Sequence, residues 1–94
     1  MTYRVYSSPS GRGGTVYYVE NEKEITFDWE FSMTGATIFV PTSDQWEAFC
    51  DSREFEMGKP RRLEILERIG AEICRQQTSR GKFEISGGFL EIRF

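Results

Sequence analysis

The sequence predicts an α+β fold: a single antiparallel sheet of about five strands, in the order β-β-β-α-α-β-β with an optional extra N-terminal strand, and two helices packed on one face. Residues 24–32 alternate apolar and polar side chains, as a half-buried strand does. Residues 60–78 repeat apolar side chains at helical spacing. Gly87 and Gly88 separate two alternating segments, which is typical of a two-residue hairpin. We expect the chain to form one domain over 1–94.

The strands are predicted from β-branched and aromatic residues that lie between turn signals. The clearest is 24–32, where Ile25, Phe27, Trp29 and Phe31 share one face. The other predicted strands are 15–20, 36–40, 82–86 and 89–94, with 2–7 as the optional N-terminal strand. Segment 7–14 is predicted to be a loop, because Pro, Ser and Gly concentrate there and no periodicity is present.

A short helix is predicted where the alternation of the third strand stops. Thr42 and Gln45 have the spacing of a capping box, in which each side chain binds the other residue's backbone N–H. Trp46, Phe49 and Cys50 follow at helical spacing and give this helix a short apolar face.

A longer helix is predicted from about Pro60 to Thr78. Its buried stripe is expected to comprise seven residues, namely Leu63, Leu66, Ile69, Gly70, Ile73, Cys74 and Gln77. Glycine is costly inside a helix, by roughly 1 kcal/mol relative to alanine. We therefore expect Gly70 to allow close packing against a bulky side chain such as Trp29 or Trp46.

The composition argues against several classes of function. The chain has no histidine, the commonest general base and metal ligand near neutral pH. Cys50 and Cys74 form no metal-binding motif, and we expect two buried thiols. No apolar segment approaches the roughly 20 residues of a membrane helix, and the N-terminus lacks the apolar region of a signal peptide. We expect a cytoplasmic protein that is not an enzyme and needs no metal or cofactor.

Charge is unevenly distributed along the chain, whose formal net charge is −3. Residues 17–56 carry ten acidic and two basic side chains, whereas 57–94 carry eight basic and five acidic ones. Such asymmetry bears on association with partners rather than on the fold. It defines two candidate surfaces.

The acidic candidate lies on the sheet, where Asp28 and Glu30 share the polar face of strand 24–32, about 7 Å apart. The turn before this strand brings further acids to its edge. We expect a partner-binding surface made of Tyr18, Glu20, Glu22, Asp28 and Glu30, with tyrosine as an anchor typical of protein interfaces. The alternative is that these acids form the solvated outer face of a half-buried sheet.

The basic candidate lies at the two ends of the longer helix. Five cations flank it: Lys59, Arg61, Arg62, Arg80 and Lys82. The first three stand at the helix start, where cations are unfavourable, and the set is an alternative anion-binding site for phosphate groups. The competing interpretation is that the cations at the helix start pair with nearby acids such as Glu54 and Glu56 and close the junction between the helices.

Two functional hypotheses follow. The first is a non-catalytic module that binds a basic protein surface, such as that of a toxin or a nucleic-acid-handling enzyme, as small bacterial or phage inhibitors and immunity-type proteins do. The alternative is a nucleic-acid-associated domain that uses the basic C-terminal third. A homodimer through an exposed edge at 15–20 or 89–94 is a further alternative.

Overall fold

The computed structural model describes residues 2–77 and 81–93. Within them lie two α-helices, α1 at Trp46–Ser52 and α2 at Arg62–Gln77, and a 3₁₀ helix at Glu56–Arg61. The six strands are β1 (Tyr3–Ser10), β2 (Gly13–Glu20), β3 (Lys23–Ser32), β4 (Gly35–Phe39), β5 (Lys82–Ser86) and β6 (Phe89–Arg93). The predicted α+β class and single antiparallel sheet are confirmed, and the optional N-terminal strand is present as β1.

The strands pair antiparallel in the order β1-β2-β3-β4-β6-β5. The two segments expected at the edges, 15–20 and 89–93, belong to β2 and β6 and lie inside the sheet, so that expectation is wrong; residue 94 lies outside the described residues. The reason is that β1 extends the sheet beyond β2, while β6 inserts between β4 and β5. The true edges are β1 and β5. The Gln76 side chain of α2 donates a hydrogen bond of 2.9 Å to the Val5 carbonyl on the first of them.

The segment 7–14 is mostly strand rather than the predicted loop, since β1 runs to Ser10 and β2 starts at Gly13. Gly11 occupies the short turn with a φ of 62°, which favours glycine. A Cβ at Gly14 would lie 2.1 Å from the Ser8 carbonyl oxygen. The proline of β1 is tolerated because β1 is an edge strand. The Pro, Ser and Gly composition therefore indicates close backbone contacts and a tight turn.

Both helices pack on one face of the sheet. α2 contacts β6 and both edge strands, β1 and β5, so the sheet curls around this helix. α1 packs on β3, where the Phe27 ring centroid lies 6.5 Å from that of Trp46 and 5.4 Å from that of Phe49. Cys50 and Cys74 are buried free thiols, as expected. The opposite, convex face of the sheet carries none of the described helices.

α1 begins at Trp46 rather than at the predicted cap region. The Thr42 N–H donates to Gln45 Oε1 over 3.2 Å, so one half of the predicted capping box is present. The Gln45 N–H also donates to the Thr42 carbonyl at 3.0 Å. These bonds form a turn that leads into the helix.

α2 begins two residues after the predicted start, because the 3₁₀ helix occupies Glu56–Arg61 and contains Pro60. The expected end at Thr78 lies outside the described residues. The buried face is rotated relative to the prediction, since Ile65 is 0% exposed whereas Leu63 is 59% exposed. Five predicted members of the stripe are buried: Leu66, Ile69, Gly70, Ile73 and Cys74. Gln77 is exposed. No helix of the described ranges has the length and hydropathy needed to cross a membrane.

Gly70 packs against Phe83 of β5, not against Trp29 or Trp46 as expected. A Cβ added to Gly70 would lie 2.5 Å from Phe83 Cδ2. Phe83 reaches the helix because the edge strand β5 curls over α2. The glycine is therefore required by the approach of an edge strand, which the sequence pattern does not reveal.

Replacing Gly70 by alanine is expected to lower the free energy of unfolding by about 1–2 kcal/mol, because overpacking outweighs the gain in helix propensity. Urea denaturation measures the change. In a Phe83→Leu background the clash is relieved, so the same substitution should be neutral or stabilising. An equal loss in both backgrounds would show that the aromatic contact is not what requires glycine.

Candidate functional site

The predicted acidic surface is divided by the fold. Tyr18 and Glu20 are 0% and 1% exposed and lie on the concave face beneath α2. They cannot contact a partner, so their assignment as partner-binding residues is wrong. Side chains alternate along β2, and this pair shares the inward face with Val16. The alternation along β2 predicts that this position faces inward. A glutamate is nevertheless expected at the surface unless the partners of its carboxylate are known.

The partners of Glu20 are two arginines of the helical segment. Arg61 Nη1 lies 2.8 Å from Glu20 Oε2, and its Nη2 lies 3.1 Å from Oε1. Arg68 Nη1 lies 3.3 Å from Oε1 and donates to the Tyr18 hydroxyl at 3.0 Å. That hydroxyl donates in turn to the carboxylate. We call these four residues, Tyr18, Glu20, Arg61 and Arg68, the buried ion cluster.

The electrostatics of the buried ion cluster favour a structural role. Hydrogen bonds from Arg61 lower the pKa of Glu20 despite its burial. Burial raises the pKa of Tyr18 to about 12, and the hydrogen bond to Glu20 acts in the same direction. A carboxylate that already accepts bonds from three groups is a poor general base. The cluster joins β2 to the 3₁₀ helix through Arg61 and to α2 through Arg68.

The predicted anion-binding residues make separate internal contacts. Lys59 pairs with Asp51 of α1 and with Glu56, at 3.1 Å. The expected partner Glu56 is therefore confirmed, while Asp51 takes the place of Glu54. Arg62 donates to two backbone carbonyls, those of residues 41 and 87, at 3.0 and 2.7 Å.

The remaining cations of that set do not join these contacts into one site. Arg61 belongs to the buried ion cluster and also pairs with Glu64. Lys82 is exposed at the start of the edge strand β5, and Arg80 lies outside the described residues. The cations at the start of α2 thus anchor neighbouring elements, which explains their presence at an unfavourable helix end.

Asp28 and Glu30 are exposed on the convex face of β3, as predicted. Among residues 2–77 and 81–93, neither has a cation within ion-pairing distance. Glu22 is also exposed but lies in the β2–β3 turn with a φ of 65°. It is six residues from Asp28, which is roughly 20 Å along a strand. The structure therefore keeps two of the predicted acids together and separates the third.

Two aromatic residues that sequence reasoning missed lie beside these acids. Phe39 and Phe89 are cross-strand neighbours on the convex face, with ring centroids 5.8 Å apart. They are 39% and 45% exposed. The signal was available, because Phe39 is out of phase with the buried Ile38 and Phe89 is out of phase with Leu90. Exposed phenylalanines on a sheet are typical of contact surfaces.

A second aromatic pair lies across the convex face. Tyr6 and Tyr17 stack with centroids 4.6 Å apart, and the Tyr6 hydroxyl donates to Glu24 at 3.0 Å. We define the acidic-aromatic face as the convex surface formed by six residues: Tyr6, Tyr17, Asp28, Glu30, Phe39 and Phe89. Asp28 lies between the two aromatic pairs, because it faces Thr15 in the register of β2 and β3, two residues from Tyr17, while Glu30 lies one side-chain row further along β3 and faces Gly13.

Asp28 and Phe39 border two open grooves. The first is also lined by Arg12 and Glu30, and the second by Phe49 and residues 40–41, 45 and 53. Arg12 is exposed in the β1–β2 turn and supplies the cation of the first groove. The carboxylates of Asp28 and Glu30 and the ring of Phe39 thus border the same open groove.

In the ranges 2–77 and 81–93, no three acids or cysteines are grouped so that they could hold a metal ion. The chain matches no known protein family, no curated protein and no solved structure.

Proposed function

We propose that this chain is a non-catalytic protein-binding module whose acidic-aromatic face contacts a basic surface of another protein. The observation that carries the proposal is the exposure of Asp28 and Glu30, without ion-pair partners among the described residues, beside the exposed ring of Phe39. Compared with the sequence-based set, Asp28 and Glu30 remain at the centre, the buried Glu20 is left out, and the two exposed phenylalanines replace the buried Tyr18 as anchors.

Other exposed acids of the described residues, such as Asp44 and Glu67, also lack an ion-pair partner. Asp28 and Glu30 differ from them because they share one face of a single strand, beside an exposed ring. Two like charges about 7 Å apart on one strand repel each other by roughly 0.6 kcal/mol in water. This repulsion disfavours the free protein and is relieved when a cation binds. The arrangement therefore favours association more than folding.

The combination of charge and aromatic rings also suits protein recognition. Interface cores are enriched in aromatic residues, and charges around them set orientation and association rate. An acidic surface of this kind can cover a site that is built to bind phosphate. We therefore favour a small inhibitor or immunity-type protein that acts in the cytoplasm on a toxin or a nucleic-acid-handling enzyme. The two buried free thiols are compatible with that compartment.

A selection from a display library of random peptides, about twelve residues long, tests the proposal. The immobilised protein is expected to enrich peptides that combine basic with apolar or aromatic residues. Elution with salt should release them, since screening weakens attraction between exposed charges. Enrichment of neutral or acidic peptides would contradict the proposal.

Replacing Arg12 by alanine is expected to tighten the binding of such a basic peptide about two- to fivefold at low salt. The reason is that Arg12 lines the same groove as Asp28 and Glu30 and repels an incoming cation. Fluorescence anisotropy of a labelled peptide measures the change, and the gain should vanish at high salt. Weaker binding in this variant would show that Arg12 itself contacts the partner and that the groove is not a cation site.

A further inference from the structure

The geometry of the acidic-aromatic face bears on which kind of cation it binds. This inference rests on the proposed function, in which the face contacts a basic protein surface. Asp28 and Phe39 line the same two grooves, so a carboxylate and an exposed aromatic ring border one space. A guanidinium group can use both at once, because it donates two parallel hydrogen bonds to a carboxylate and stacks its plane on a ring. An ammonium group lacks the plane and is more strongly hydrated.

The molecule itself contains this arrangement with an arginine in place. In the buried ion cluster, the Arg68 guanidinium lies 4.4 Å from the centroid of the Tyr3 ring and 3.3 Å from a Glu20 carboxylate oxygen. A second arginine, Arg53, lies 3.9 Å from the centroid of Phe49. Asp28 and Phe39 offer a carboxylate and a ring in the same way. Arg12 and Arg53 line the two grooves, but among the described residues no arginine forms an ion pair with Asp28 or stacks on Phe39.

We infer that the partner presents an arginine, held by the Asp28 carboxylate and stacked on the ring of Phe39, with a second cation two residues away facing Glu30. The spacing follows from the strand, because alternate side chains of an extended segment lie about 7 Å apart. Asp28 and Glu30 are separated by that interval on β3. An extended Arg-X-Arg segment therefore matches the two carboxylates side chain for side chain.

Two synthetic peptides test the inference: acetyl-Ala-Arg-Thr-Arg-Ala-amide and the same peptide with lysine at both basic positions. Each is titrated into ¹⁵N-labelled protein, and the amide chemical shifts are followed, which detects weak binding. The arginine peptide is expected to shift residues 28–30 and 39 and to bind about two- to fivefold more tightly than the lysine peptide. Phe39→Leu should remove this preference while both peptides still bind, because leucine keeps the apolar contact without the ring.

Equal affinity of the two peptides, lost in Asp28→Asn/Glu30→Gln, would overturn the arginine inference and leave the proposed function standing. Shifts that map elsewhere on the surface, or no shifts at millimolar peptide, would overturn the inference as well. The proposed function would then be judged by the display selection, which does not depend on arginine. An arginine preference that persists in Phe39→Leu would contradict the stacking on Phe39.

Discussion

Replacing Arg61 by methionine is expected to lower the free energy of unfolding by about 3 kcal/mol near pH 7. Glu20 has a side chain that is 0% exposed, and Arg61 supplies two of its hydrogen bonds, at 2.8 and 3.1 Å. Without this arginine, the buried carboxylate keeps, among residues 2–77 and 81–93, only Arg68 and the Tyr18 hydroxyl as partners. Methionine retains most of the apolar volume, so the loss reports on the charge. Urea denaturation followed by tryptophan fluorescence measures it.

The same substitution is expected to change the dependence of stability on pH. The pKa of Glu20 is lowered in the folded protein, so its contribution is present above the unfolded value near 4.5 and is lost as the pH falls through the folded value. Removing Arg61 raises the pKa of the buried carboxylate, and protonation then relieves the unpaired charge. The difference in free energy of unfolding between wild type and variant should therefore become smaller as the pH is lowered from about 7 to about 4.

Arg75→Met is the matched control for this experiment. Arg75 pairs with Glu72 of α2; the Arg75 side chain is 71% exposed, whereas that of Glu72 is 25% exposed. Because the guanidinium lies in solvent and Glu72 keeps its hydrogen bond from Gln76, losing the pair is expected to cost less than about 1 kcal/mol. If Arg61→Met costs no more than the control, or if its cost does not change with pH, the buried ion cluster does not have the structural role assigned to it.

Replacing Trp46 by alanine is expected to cost about 3–5 kcal/mol. Trp46 is 2% exposed, and its indole N–H donates to the Gly58 carbonyl at 2.7 Å, which joins α1 to the 3₁₀ helix. Its ring stacks near Phe27 and Phe49. A seven-residue helix is not stable alone, so α1 depends on this side chain for its position.

Trp29 remains as the fluorescent reporter in Trp46→Ala, and circular dichroism follows the helix content. Leu63→Ala is the control, because Leu63 is 59% exposed and its loss should cost less than about 0.5 kcal/mol. A Trp46→Ala protein that unfolds at the same urea concentration as the control would contradict the position of Trp46 in the core.

The elements with long, regular patterns were predictable from the sequence. The alternation in 24–32 gives β3 and the correct face for Asp28 and Glu30, and the helical spacing gives most of the buried face of α2. These patterns are local, because they depend on the geometry of one strand or one helix. The fold class follows from them.

The errors at Glu20 and Gly70 concern contacts between distant parts of the chain. Glu20 is buried because Arg61 and Arg68, 41 and 48 positions later, supply its hydrogen bonds. No local pattern reveals such a partner, so sequence reasoning places the glutamate at the surface. It pairs Gly70 with a tryptophan for the same reason, since the position of Phe83 depends on how β5 curls over α2. The two phenylalanines of the acidic-aromatic face are different, because their phase within β4 and β6 already predicts exposure.

Charge reversal on the acidic-aromatic face tests the central claim most directly. The most enriched basic peptide from the selection is titrated by calorimetry into wild type, Asp28→Lys/Glu30→Lys and Asp44→Lys/Glu67→Lys. The last variant makes the same change in net charge at two exposed acids away from the face. We predict that it binds within about twofold of wild type, while reversal on the face weakens binding at least about tenfold. Equal affinity for all three proteins, or equal weakening in both variants, would contradict the claim.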